Sequence, residues 1–251
     1  IDGYVALLDK HRAWETLDVL CVHYFGLGSM ETLRLEAAKR GFPGMGVWQT
    51  EVGFTGNPAY ISNVFPRAFY WALTQGLAEA PARYKFFHFA FWSPHDPKAY
   101  GYGKTLLSCN TLSNHGTSLL TLGELFGDES VAPFEGVRTE PELSFQLSET
   151  QSSIEAFQAG PRIVAAVHWV SDDAPDTGSI AITLDSVPRE RIGRICRYTA
   201  TGSQMEMSLD GDGAAHAQVT VPIVVDEDLV GTEWWGFDGE IRTFYVLFEA
   251  R

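Results

Sequence analysis

Basic residues are scarce in this chain of 251 residues: Lys and Arg number 18 against 32 Asp and Glu, for a formal charge of -14. A surface so biased repels polyanions, which excludes nucleic acid and anionic membranes as natural partners. Cysteine is scarcer still. Cys21, Cys109 and Cys196 are odd in number and far apart, with no CxxC pair, so neither a disulfide framework nor a cysteine zinc site is expected, and the thiols are expected to be buried. No run approaches the roughly 18 apolar residues that span a bilayer, and IDGYVALLDK lacks the basic start and long apolar stretch of a signal peptide. The chain opens on Ile rather than Met, so Ile1 is expected to be a cut point. His23, His88, His95 and His115 form no pair at ligand spacing, and the glycines of GLGS and GYGK do not make a phosphate loop. No metal or cofactor is therefore expected.

What is present is the composition of a folded protein, 45% hydrophobic and 13% aromatic. Its first half alternates two periodicities. YVALLDKHRAWE (residues 4–15) has helical spacing, LDVLCVHYF (17–25) reads as a strand, and METLRLEAAKRG after it as a helix stopped by Gly41. GMGVWQTEVGF (44–54) is a second apolar strand and NVFPRAFYWALTQGLAEA (63–80) its helix. YKFFHFAFW (84–92) is a third strand, followed by a long loop and the helix pattern TSLLTLGELFGD (117–128). Three such units in succession imply a parallel sheet. Beyond residue 130 the texture becomes short strand-like runs between turns, such as RIVAAVHWV, GSIAITLDSV and TFYVLFEA, which predicts an antiparallel β-sandwich. The expected division is 1–130 and 131–251. DGDG at 210–213 lacks the later Glu of a calcium loop and reads as a turn, and Trp234 and Trp235 read as packing residues.

In parallel β/α folds chemistry collects at the carboxyl ends of strands, here HYF, TEVGF and FWSPHDP. Glu51 ends the second strand, where a carboxylate must meet water, pair with a cation or do chemistry. Trp92 holds the matching end of the third strand, where its ring either stacks on a sugar or plugs the end of the sheet. His23 and Tyr24 end the first. Because successive side chains alternate faces, one of these two is expected to point inward and hydrogen-bond the neighbouring carboxylate. His95 and Asp96 follow Trp92 in the PHDP loop as candidate substrate contacts.

WQTEVGF resembles the seventh-strand segment of clan A glycoside hydrolases, in which a Glu after a Trp-x-Thr type sequence is the nucleophile. The resemblance implies that role for Glu51. In the same clan the sixth strand often ends in a His and Tyr motif and the eighth in a Trp, similar to His23, Tyr24 and Trp92 in the same order. The second half is similar to the accessory domain that follows the barrel in the β-xylosidase and α-iduronidase group. The implied fold is α/β plus all-β, the C-terminal part of a (β/α)8 barrel from helix five to helix eight followed by an antiparallel β-sandwich.

On this reading the activity is retaining hydrolysis of a carbohydrate substrate, which needs a second carboxyl about 5 Å from the nucleophile. In the clan that acid is the Glu of an Asn-Glu pair on strand four, and no Asn in this sequence precedes Glu. The resemblance thus implies that a second chain or segment supplies strands one to five and the acid/base residue. The alternative is a non-catalytic carbohydrate-binding or interaction protein derived from such an enzyme.

Overall fold

The computed structural model describes residues 1–23, 26–52, 59–88, 90–93, 105–108, 111–112, 114–170, 178–211, 215–223 and 241–251. It begins with α1 (Asp2–Lys10), whose Asp2 and Lys10 suit the helix dipole at either end. Three parallel strands follow, β1 (Val19–Val22), β2 (Gly46–Val52) and β3 (Tyr84–His88), in that spatial order. Between them run α2 (Leu27–Lys39) and α3 (Ala59–Thr74).

Both helices stop where the sequence puts a glycine. Gly41 has φ +90, Phe42 N–H donates to Ala37 O (3.0 Å) and Gly41 N–H to Ala38 O (3.0 Å), a left-handed cap that ties off α2. Gly76 repeats the arrangement after α3. At Gly46 the requirement is space: a Cβ would lie 2.8 Å from the Arg83 carbonyl oxygen, so only glycine lets β2 start against this turn.

One face of the sheet is covered by the helices. Leu20, Val22, Val47 and Tyr84 pack with Val5, Leu8, Met30, Leu33 and Trp71 in one buried cluster. The Trp71 indole N–H donates to Glu31 (2.9 Å) while Arg34 takes the same carboxylate in two bonds of 2.7 Å, joining α3 to α2. The opposite face carries Cys21, Trp48, Lys85 and Phe87. Cys21 and Lys85 are exposed and Phe87 is 45% exposed, with its ring 5.9 Å from that of Trp48. The expectation of buried thiols therefore fails at Cys21, because β1 turns it to the uncovered face. Cys196 is buried, and Cys109 lies outside the described residues.

The third expected strand is divided into β3 and β4 (Ala90–Ser93). Part of the loop expected after it is strand as well: β5 (Thr105–Ser108) pairs parallel with β4 and antiparallel with β6 (Thr111–Leu112). Then comes α4 (Asn114–Phe126).

The remaining strands are β7 (Val131–Pro133), β8 (Val137–Glu140), β9 (Ser153–Ala159), β10 (Arg162–Val170), β11 (Ser179–Pro188), β12 (Ile192–Thr199), β13 (Gln204–Met207), β14 (His216–Pro222) and β15 (Ile241–Ala250). They form two antiparallel sheets, ordered β13-β12-β15-β10-β9-β7 and β14-β11-β8. Alternate residues of β10, β11, β14 and β15 meet in one core, including Ile163, Ala165, Val167, Ile180, Ile182, Val219, Phe244 and Val246. β10 and β15 are buried on their second face too. Phe157, Val164, Ala166, Tyr245 and Leu247 pack on Leu122 and Leu125 of α4 and against Phe65 and Phe69 of α3. Double burial is the reason RIVAAVHWV reads as an unbroken apolar run rather than an alternating one.

The contact of α3 with the larger sheet is polar at its centre. Pro66 lies inside α3 and has no N–H to give the carbonyl of Ser62 four residues earlier; Tyr245 Oη donates to that carbonyl instead (3.2 Å). Next to it the Arg67 guanidinium is fully buried. It donates to the carbonyls of Gln146 (3.1 Å), Ser148 (2.8 Å) and Gln151 (2.7 Å). Burial pulls the Arg67 guanidinium below its ordinary value, opposed by the carboxylates of Glu155 and Glu149.

Candidate active site

The carboxyl ends of β1 and β2 bring together two residues 28 positions apart in sequence. His23 Nε2 lies 2.6 Å from Glu51 Oε2, with the Glu51 side chain 20% exposed and the His23 side chain 55% exposed. A third residue touches the imidazole: Thr50 Oγ1 stands 3.4 Å from His23 Nδ1 and donates to the Val22 carbonyl at 2.9 Å.

Strand geometry accounts for two consecutive residues of β2 reaching the same histidine. Gln49 pairs with Phe86 and Val52 with His88, so three steps along β2 answer two along β3. The extra residue is a bulge, which re-aims side chains from the strict alternation of a strand. Val47 and Gln49 point to the helix-covered face and are buried; Thr50 and Glu51 both turn toward β1.

The other candidates fare differently. Trp92 is on β4, one strand segment beyond β3, and only its backbone is described. Tyr24, His95 and Asp96 lie outside the described residues, as do Trp234 and Trp235. Thr50 was not among the sequence candidates. Its signal was its place directly before Glu51, but reading it required the bulge.

An apolar groove of about 490 Å³ opens between α3, α4 and β3, lined by Phe65, Phe69, Tyr84, Phe86, Leu122 and Phe126 among others. None of His23, Thr50 and Glu51 is in its lining, and its walls offer almost no polar group for chemistry.

Among solved structures, this chain is similar to glycoside hydrolases. A GH30 endoxylanase from Clostridium papyrosolvens C71 matches with a TM-score of 0.49 and 11% identity, covering 95% of this chain and 50% of that one. A glucosidase from Croceicoccus marinus matches with a TM-score of 0.46 and 11% identity, covering 99% and 56%. A family 30 subfamily 8 xylanase from Clostridium acetobutylicum matches with a TM-score of 0.43 and 10% identity, covering 85% and 44%. The chain spans about half the length of these structures. No family model matches it, and no curated protein does.

Chemically, the described site offers one carboxylate with an imidazole on one oxygen. A carboxylate held in this way can attack an electrophilic carbon, or it can bind a hydroxyl. It is half of what a two-carboxyl hydrolysis needs.

Proposed function

We propose that this chain carries the nucleophile of a retaining glycoside hydrolase. Glu51 attacks the anomeric carbon of a sugar while a second carboxyl protonates the departing glycosidic oxygen; water, deprotonated by that same carboxyl, then cleaves the covalent glycosyl-enzyme and frees both the sugar and Glu51. The observation that carries the reading is the 2.6 Å contact of Glu51 with His23 at the carboxyl ends of two parallel strands, where β/α folds place their chemistry. His23 holds one carboxylate oxygen, fixing the direction of the other.

The acid/base is assigned to a second chain or segment that continues the sheet from β1. Two features support this. Among the described residues β1 is one edge of the parallel sheet, where a further strand can pair. The face bearing Cys21, Trp48, Lys85 and Phe87 leaves a large aromatic side chain in water, as expected of the inner wall of a barrel whose other strands lie elsewhere. Residues 1–130 are the partial (β/α)8 barrel and 131–251 its β-sandwich; Trp92, Tyr24, His95 and Asp96 are proposed sugar contacts.

The absence of any Asn-Glu pair in the sequence favours one other reading, a carbohydrate-binding protein without catalysis. Assay of the native assembly on chromogenic aryl glycosides, beside an assembly carrying Glu51→Gln, separates the two. Hydrolysis lost by roughly three orders of magnitude or more in the variant supports the nucleophile. An assembly that binds sugar and shows no turnover with Glu51 intact supports the second reading.

A further inference from the structure

A segment between β8 and β9, residues 146–151, is fastened to both helices that follow the strands of the site. Glu149 Oε1 accepts the N–H of Leu27, the first residue of α2, at 3.0 Å. Gly26 precedes that helix without any side chain to cap it, and a Cβ placed on Gly26 would stand 3.3 Å from both Glu149 carboxylate oxygens. Asn63 Nδ2 donates to the Glu149 carbonyl (3.0 Å), and Arg67, one turn further along α3, holds the carbonyls on either side. Arg67 Nε in turn donates to Asn63 Oδ1 (2.6 Å).

The connectivity gives the clasp its consequence. α2 starts four residues after His23, and α3 follows the strand that bears Glu51. A helix start preceded by a glycine, with no side chain of its own capping its first N–H groups, has little of its own to fix its position. The carboxylate supplies the missing cap from 122 residues away in sequence.

We infer that Glu149 is a positioning residue for the His23–Glu51 pair: by capping α2 from the two-sheet unit, it sets the path of the chain on which His23 sits. Its bearing on catalysis rests on the reading of Glu51 as nucleophile; its bearing on His23 does not.

The test uses the full chain with NMR. Glu149→Gln keeps an oxygen acceptor at the same reach, whereas Glu149→Ala removes it. The alanine variant should exchange the Leu27 amide at least about tenfold faster and displace the His23 ring Cε1–H resonance, while the glutamine variant keeps both near wild type. Ile182→Val, in the distant core of the two sheets, serves as a control for general loosening and should leave the His23 resonance in place. The inference is overturned if His23 is unmoved in Glu149→Ala, if Leu27 exchange is unchanged there, or if Ile182→Val moves His23 equally. Should the alanine variant not fold, the glutamine variant decides: a displaced His23 resonance in it overturns the inference, and an undisturbed one upholds it. An unlabelled Glu51 in a glycosidase assay would leave these NMR outcomes standing, so the two readings fail separately.

Discussion

The hydroxyl of Tyr245 donates to the carbonyl of Ser62, four residues before Pro66, so a strand of the larger sheet takes over a hydrogen bond that proline denies its own helix. Burial pushes the Tyr245 phenol far up, so this donor stays protonated throughout the range in which the protein is handled. Tyr245→Phe should cost about 1–2 kcal/mol. In a Pro66→Ala background, where residue 66 regains an N–H for the same carbonyl, the cost should shrink. A urea-denaturation cycle reads the coupling; additivity within about 0.3 kcal/mol would contradict the relationship.

Arg67 makes a second link across the same contact. Its planar fork reaches three backbone carbonyls in two directions, a pattern that the single ammonium of lysine does not reproduce. Arg67→Lys should lower stability by about 3 kcal/mol, since charge-assisted bonds to buried carbonyls contribute roughly 1.5–3 kcal/mol each. Because Phe157, Tyr245 and the apolar side of α3 lie in one cluster, both units should be lost together. Far-UV and near-UV circular dichroism should give one coincident transition in the native chain and in the variant. Separate transitions would mean that the units are independent.

His168 introduces a pH dependence of known sign. It is fully buried, its Nε2 is 2.7 Å from Glu155 Oε2, and its Nδ1 is 3.0 Å from Thr243 Oγ1. Ser153 also donates to Glu155, and the charge of Arg67 is felt at the site. Burial holds the imidazole below its ordinary value of 6.5, with the Glu155 charge opposing. The unfolded chain therefore takes up this proton first. Stability from His168 is fully present above about pH 6.5 and declines as the pH falls, by up to about 1.4 kcal/mol per unit for one proton. His168→Gln retains an N–H donor for Glu155 without the titration. Melting curves from pH 7 down to pH 5 should fall less steeply for the variant, and an equal slope would show that another group is responsible.

Much of the fold was legible because it depends on local pattern. The glycine after α2, the apolar β2 and the strand runs beyond residue 150 stand where periodicity and turn chemistry put them, whereas α3 ends at Thr74 before Gly76 although its apolar pattern runs on to residue 80. What escaped reading depends on partners remote in sequence. α2 begins at Leu27 rather than Met30 because Glu149 caps it from the other unit. β7 and β13 are short and gain their identity only from pairing with β9 and β12. Cys21 is exposed although its strand is apolar, because only one face of β1 is covered. In the site, Glu51 and His23 were readable as strand ends, whereas Thr50 entered through a bulge that no run of residue types announces.

Covalent capture is the decisive probe of the proposed nucleophilic role of Glu51. The native protein, together with the second chain or segment proposed to extend the sheet at β1, is treated with activated 2-fluoro glycosides and digested, and the modified peptide is located by mass spectrometry. One added glycosyl group is expected, on Glu51, absent from Glu51→Gln and removed with time as activity returns. A label on any other residue, or turnover undiminished in Glu51→Gln, would contradict it.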